Sequence, residues 1–294
     1  MLRLAVTTRA ETFDRLQDPL AERGIEVAHL PAEGRTIDLT APPGDHFDAG
    51  FVFPSRTPEG TALSALYDLP WVNDRTAVRT SRNKGGVIAA LSAADLPVPK
   101  TTMVSNPADE AAVADAVEGF SWPVVIKPNS TTRGTGVAKA ADVDSLLGIV
   151  DYLNLIHDYR ATGDKTFLLQ EYLPDARDYR VMIVDGTYAG AVERRLPEAD
   201  RAAGRWKHNV HRGAEARGVD LPADHRRLAE QAAETLGVPY LGVDLLATDG
   251  RVVVAETNAR PTVDAATKYV PEFYDRLAGL IQRTAGSDNG AEDG

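Results

Sequence analysis

Apolar residues recur along this chain with two different spacings, and the switches between them set out an alternation of strands and helices. Residues 2–6 and 25–30 are short apolar runs of strand length, and between them residues 13–23 place their apolar positions on one helical face before Gly24 stops the pattern. A third apolar run covers residues 47–53, and residues 62–67 suit a short helix. Strand, helix, strand in this order predicts a small parallel α/β unit over residues 1–78. Residues 81–94 follow as a helix with Lys84 in its first turn, ended by Leu96-Pro97-Val98-Pro99. A second unit, residues 79–166, carries helical patterns at 107–117 and 143–158, with short strands at 123–126 and 137–139 around a glycine-containing loop. The third, residues 167–284, has strands at 167–173 and 179–184, an Asp185-Gly186 turn, an alanine-rich helix at 224–236 closed by Gly237, and a helix at 272–283. Residues 285–294 are small and acidic and are expected to be a disordered tail. There is no internal repeat, and the class is α/β, or α+β.

The stretch richest in chemistry is 241–262, LGVDLLATDGRVVVAETNARPT, where two apolar runs flank an Asp-Gly turn and read as one hairpin. Loop length decides what it presents. A two-residue loop, Asp249-Gly250, places Ala255 opposite Asp244 and sends Glu256 to the other face. A three-residue loop, with Thr248 and Asp249 in a type I turn and Gly250 left-handed, brings Asp244, Val254, Glu256 and Asn258 to one face. The second register makes three hard oxygen ligands converge, a set suited to Mg²⁺ or Mn²⁺ held mainly through substrate phosphates.

Composition narrows the classes. The 294 residues are 43% hydrophobic and 26% charged, enough for two or three packed units. No apolar run approaches a membrane span and the first ten residues lack a secretory core, so a soluble, cytoplasmic protein is expected. The absence of cysteine excludes disulfides, thiolate catalysis and Cys-ligated zinc, and the six histidines lack metal-ligand spacing. The formal charge is −11 and only seven of 32 basic residues are lysine, which fits either a halophilic source or a GC-rich genome. Wholesale nucleic-acid binding is disfavoured, since phosphate neutralisation needs a basic face. Residues 193–217 depart from the acidic background, with seven basic and four acidic residues, and suit an anionic ligand.

A second candidate site is 124–137, VVIKPNSTTRGTGV, with a lysine at a strand end followed by a hydroxyl- and glycine-rich loop. Glycines let backbone N–H groups approach phosphate oxygens, and Lys127 adds a compact positive charge. The run contains neither GxxxxGK[ST] nor GxGxxG, so it is not a Walker or a dinucleotide loop.

In chain order the motifs are Lys84, Lys127 before the glycine loop, Gln170-Glu171-Tyr172-Leu173, Asp178-Tyr179-Arg180, Asn209-Val210-His211-Arg212-Gly213, Asp244 and Glu256-Thr257-Asn258. Over residues 70–280 this order resembles the ATP-grasp superfamily, and within it the RimK-type, glutathione synthetase-like amino-acid (alpha-L-glutamate) ligases, whose NLHRGG run residues 209–213 nearly reproduce. The resemblance implies an ATP-grasp fold behind an N-terminal pre-grasp domain, with ATP between two lobes. It implies that Lys84, Lys127 and the loop glycines Gly134 and Gly136 serve the phosphates. Glu171, Tyr172 and Leu173 would hold adenine through their backbone, Gln170 would reach its exocyclic amine, and Asp178 would bind the ribose. Lys207, His208 and Asn209 take the family's phosphate-contacting positions, and Asp244, Glu256 and Asn258 its two-Mg²⁺ site. Arg180 and Arg194 occupy positions where family arginines face the substrate carboxylate or acyl phosphate.

The implied reaction phosphorylates a carboxylate with ATP and lets an amine displace phosphate, forming an amide by way of an acyl phosphate. Expected partners are ATP, an acidic or amino-acid substrate, and an acceptor that is a small molecule, a carrier or a protein terminus; a homo-oligomer is left open. Two alternatives stay beside the ligase: a kinase acting on a phosphorylated small molecule, and a nucleotide-binding regulator. The sequence departs from the family in three places. Ala259-Arg260-Pro261-Thr262 replaces the usual run to Pro-Gly, Lys207 stands where arginine is common, and residues 151–165 look long. Strand alternation carries Arg260 onto the metal face, where it is expected to meet an anionic substrate or the acyl phosphate.

Overall fold

The computed structural model describes residues 1–8, 11–131, 134–156, 165–208 and 213–286. The N-terminal unit contains β1 (Leu2–Val6), α1 (Glu11–Ala21), β2 (Ile25–His29), β3 (Ala49–Phe51), α2 (Thr57–Tyr67) and β4 (Trp71–Val72), its strands parallel in the order β2-β1-β3-β4. The parallel α/β reading therefore holds, and β4, only two residues long, escapes a pattern search. Next come α3 (Arg75–Arg82) and α4 (Lys84–Ala93), where the sequence suggests one helix. Asp74 caps α3 through the Ala77 N–H, and Asn83 ends that helix and caps the next through the Gly86 N–H at 3.0 Å, so Lys84 is the first residue of α4.

A smaller lobe follows: β5 (Thr101–Ser105), α5 (Glu110–Asp115), β6 (Val124–Pro128), β7 (Ala138–Ala140), α6 (Val143–Ile156) and β8 (Thr166–Glu171). Its antiparallel sheet has the order β5-β8-β6-β7. Val104, Val124, Ile126, Phe167 and Leu169 point to one side and form a separate core with Val113 of α5 and Leu146 of α6. Alternation then forces Val125 and Lys127 of β6 and Leu168 and Gln170 of β8 onto the opposite face.

The remaining body consists of β9 (Arg177–Val184), β10 (Thr187–Arg195), α7 (Glu198–Ala202), β11 (Glu215–Val219), α8 (Ala223–Leu236), β12 (Tyr240–Ala247), β13 (Val252–Asn258) and α9 (Phe273–Gly286). Its antiparallel sheet runs β11-β10-β9-β12-β13. Tyr179, Val181 and Ile183 of β9 and Leu241, Val243 and Leu245 of β12 pack into one core that continues into the N-terminal unit. Buried Asn73 joins the two parts. Its amide donates to the carbonyls of Tyr240 and Ala259 (2.7 Å to Ala259) and accepts from the Tyr240 N–H at 3.2 Å.

This packing corrects the expected boundaries. β8 lies between β5 and β6, so the small-lobe sheet ends at Glu171 and the division at 166/167 cuts through it. α3 and α4 pack chiefly on β13 and α8 of the body, with the first turn of α4 reaching the small lobe at Asn129. Ala285 and Gly286, expected in the tail, belong to α9; residues 287–294 lie outside the described residues, as do 157–164 of the long 151–165 segment. No helix among the described residues is long and apolar enough to cross a membrane.

Candidate active site

The β12–β13 hairpin has the two-residue loop and nevertheless presents the acidic face. Ala247 pairs with Val252, and the Thr248 N–H donates to the Arg251 carbonyl at 2.9 Å across Asp249-Gly250; Gly250 is not left-handed. Between Leu245↔Val254 and Asp244↔Glu256 the register slips by one residue. Ala255 is the extra residue of a β-bulge, and the bulge brings Glu256 opposite Asp244 with Asn258 two pairs along, opposite Gly242 and on the same face. The three-residue loop is thus corrected, because the register is reset inside β13 and not at the turn.

Asp244 sits beside Arg180 on β9, which in turn lies beside Val192 of β10. The same face carries Asp178 and Arg194, a cross-strand pair. Arg180 grips both Asp244 oxygens, with Nη2 to Oδ2 at 2.8 Å and Nε to Oδ1 completing the fork. Its stem passes over Gly242, where an added Cβ would lie 3.0 Å from Arg180 Cδ. Arg194 reaches Asp244 at 3.0 Å and donates from Nε to Asp178 at 3.0 Å. Burial alone would raise the Asp244 pKa, but the charges and hydrogen bonds of Arg180 and Arg194 win and hold it below the usual value. Burial opposes the charge of Arg194 too, and Asp244 and Asp178 raise its pKa above the ordinary arginine value. Asp178 also lies 3.5 Å from His208 Nδ1.

The small lobe contributes the facing wall. Lys127 is 6% exposed, and its Nζ donates to Gln170 Oε1 at 3.0 Å and to the carbonyl of bulged Ala255 at 3.4 Å. Burial pulls its pKa down to about 8; Glu256 opposes this, Lys84 adds to it, and Asp244 opposes it. Gln170 Nε2 donates to Thr101 Oγ1 at 2.8 Å, so both ends of its amide are engaged in fixing Lys127. Lys84, also 6% exposed, lies 3.4 Å from Glu256 and donates to the Thr131 carbonyl. Asn129 steadies the loop by accepting from the Gly85 N–H at 2.8 Å and donating to Asn83 Oδ1 at 3.0 Å. Gly134 and Gly136 have φ of 66° and 75°, and a Cβ on Gly136 would meet Pro128 Cγ at 2.7 Å. Only glycine suits that position. Lys207 closes over the loop exit, its Nζ donating to the Val137 carbonyl.

Glu171, Tyr172 and Leu173 join the two sheets and line the same cavity. Glu171 accepts from the Lys100 N–H at 2.6 Å and pairs with Arg251 at 2.6 Å. Tyr172 meets Trp206 edge to face at 5.9 Å, with Lys139 Nζ 4.5 Å from the Tyr172 ring centre. The cavity is about 1700 Å³, more than the ~300–1,000 Å³ of a single-ligand pocket, which leaves room for a nucleotide and a second substrate. Arg260 lines it as well, by a different route from the expected one. β13 ends at Asn258, whose Oδ1 accepts the Arg260 N–H at 2.9 Å, and this bend directs the guanidinium to the Phe53 carbonyl at 2.6 Å. Burial and the charge of Arg82 both lower the Arg260 pKa.

The expected residues line one cleft, apart from Gly136, which lies in the loop between the lining residues Thr135 and Val137, and Asn209, which lies outside the described residues with 210–212 and with Thr132 and Arg133 of the glycine loop. Three of the seven basic residues of 193–217 are held in ion pairs, Arg194 with Asp178, Arg195 with Glu193 and Arg205 with Asp200. Sequence reasoning missed Asn129, although an asparagine next to the Lys-Pro of a phosphate loop invites a structural role. It missed Trp206 and Arg82 as well.

Asp244, Glu256 and Asn258 offer hard oxygens on one face, a set that fits a divalent cation bound chiefly through phosphates. Among the described residues no three His, Cys, Asp or Glu side chains cluster as a metal cage.

Residues 81–272 match the family described as the RimK-like ATP-grasp domain. The chain is 29% identical over 250 residues, 82% of its length and 78% of the relative's, to a probable alpha-L-glutamate ligase of Citrobacter koseri. It is 28% identical over 232 residues, 76% of its length and 72% of the relative's, to the ribosomal protein bS6–L-glutamate ligase of Escherichia coli. A RimK domain ATP-grasp protein of Sphaerobacter thermophilus superposes with a TM-score of 0.68 at 23% identity, over 95% of this chain and 99% of that one. With a buried lysine on one sheet facing an oxygen cluster on another, and with this match over most of its length, the chain belongs to the RimK-like ATP-grasp family of ATP-dependent ligases.

Proposed function

We propose that this protein forms an amide between the amine of an acidic amino acid, glutamate in the first instance, and the carboxylate of an acceptor such as a protein terminus, using ATP and Mg²⁺. The observation that carries the reading is Lys127, buried and braced by Gln170 on one wall while Glu256 and Asp244 stand near enough on the other to act on its charge. The curated relatives, which act on glutamate by name, support the choice of amino acid.

Lys127 and Lys84 neutralise phosphate oxygens as the acceptor carboxylate attacks the γ-phosphorus and ADP leaves. A divalent cation, when bound to Asp244, Glu256 and Asn258, supplies further positive charge at the phosphates. Loop residues 134–137, tied down by Lys207, keep water from the acyl phosphate, which would otherwise hydrolyse. The amine then attacks the acyl carbon, phosphate leaves and a proton is released. Arg180 and Arg194 both hold Asp244, and a cation bound there would share its oxygens with them or displace them.

The test is incubation with ATP, Mg²⁺, amino acids and candidate acceptor peptides, following ADP release together with acceptor mass. A gain of one glutamyl residue per ADP, lost in Glu256→Gln, is expected. A gain of one phosphate would identify a kinase and overturn the reading, as would ATP binding without any product across the pools.

A further inference from the structure

Most arginines lining the cleft carry a carboxylate partner: Arg15, Arg177, Arg180, Arg194, Arg195 and Arg205 all do. Arg201, which is exposed, has no such partner among the described residues, and neither do Arg82 and Arg260. Both line the cavity, neither is exposed, and neither has an acidic side chain within ion-pair distance among the described residues. Each is anchored instead on the loop after β3: Arg260 Nη1 donates to the Phe53 carbonyl at 2.6 Å, and both terminal nitrogens of Arg82 lie 3.4 Å from the Ser55 carbonyl. That loop leaves the C-terminal end of a parallel strand, the edge at which open α/β sheets bind ligands.

We infer that Arg82 and Arg260 form a carboxylate-binding subsite on the wall between the N-terminal unit and the body, and that it reads a non-reacting carboxylate of the amino-acid substrate. Two guanidiniums whose charges act on one another are stable only with anionic compensation, and the backbone carbonyls supply just part of it. Anchoring leaves most of their ten N–H donors free, in a forked geometry that suits a planar carboxylate. In a chain of net charge −11, this unpaired positive pair is where an acidic substrate gains most. The amine-bearing substrate of the proposed reaction keeps both of its carboxylates through the chemistry, so either is free to occupy the subsite. The identity of the substrate rests on the proposed function; the existence of the subsite does not.

Calorimetric titration of the full chain, with Mg²⁺ and a non-hydrolysable ATP analogue present, would compare L-glutamate with its two monoamides, L-glutamine and L-isoglutamine. Glutamate is expected to bind on the order of 10- to 100-fold tighter than at least one monoamide, since a charged hydrogen-bonded partner is lost. R82Q/R260Q is expected to weaken glutamate by a similar factor and to erase the preference. R260K, which keeps the charge without the fork, is expected to keep an intermediate preference, separating anion recognition from loss of folding. Equal binding of all three by the unmodified protein, no binding of any, or an unchanged preference in R82Q/R260Q would overturn the subsite. Product mass measured on the same samples tests ligation separately: amide formation without the preference removes the subsite alone, and the preference without amide removes the ligase reading alone.

Discussion

Asp244 and Glu256 face each other across β12 and β13 only because Ala255 is passed over in the pairing. The two carboxylates then live in different electrostatic settings. Asp244 is buried beneath two guanidiniums, whereas the Glu256 side chain is 40% exposed and has Lys84 at 3.4 Å.

Their substitutions should therefore part company. Asp244→Ala leaves Arg180 and Arg194 without their shared counter-charge and is expected to cost about 3–5 kcal/mol of stability. Glu256→Gln removes a carboxylate that is 40% exposed, though it faces the buried Lys84, and is expected to cost less than Asp244→Ala, yet is expected to abolish turnover. Denaturant unfolding of both proteins beside an ADP-release assay checks the contrast; equal destabilisation would refute it.

Lys127 gives a pH signature. Its folded pKa of about 8 lies below the ordinary lysine value of 10.5, so its destabilising charge is fully present below pH 8 and is relieved as pH rises from about 8 to 10.5. The nucleotide-free protein should gain stability from this group over that window. Bound phosphates restore the charge, so ATP binding near pH 8.5 should take up protons, measurable by calorimetry in buffers of differing ionisation enthalpy. Lys127→Met should remove the uptake.

Gly136→Ala places a side chain at φ 75° and brings its Cβ against Pro128. The strain falls on a surface loop, so melting should shift little, while kcat/KM for ATP should drop about tenfold or more for ~1.4 kcal/mol of misplacement. Steady-state kinetics and a thermal melt on one preparation decide this.

Asn73→Ala tests how the N-terminal unit is joined to the body. It leaves the buried carbonyls of Tyr240 and Ala259 and the N–H of Tyr240 unpaired. At about 1–3 kcal/mol per orphaned group, only partly additive, a loss of several kcal/mol is expected. Urea titration would show it.

Local signals made much of this site legible. A lysine ending an apolar strand before a glycine loop, and acidic residues in the second arm of a hairpin, are contiguous in sequence. What escaped depends on distant partners. Nothing in VVVAETN marks Ala255 as a bulge, because the slip is set by the strands around it. Gln170 is an ordinary strand residue until β8 is laid beside β6, and the sequence pattern hides that β8 belongs to the small lobe because antiparallel partners need not be sequence neighbours. Arg82 was hidden in α3, which has few apolar positions and shares Asn83 with the next helix.

The small lobe keeps its apolar core to itself. Among the contacts that hold it against the body are hydrogen bonds and ion pairs: Lys84 with Thr131, Lys127 with Ala255, Lys207 with Val137, Arg251 with Glu171. Swinging it outward breaks these polar contacts and uncovers only a few apolar side chains, among them Val125 and Leu168 on the face opposite its own core, so opening should carry a small heat-capacity change. Its resting angle should respond to ionic strength far more than to temperature.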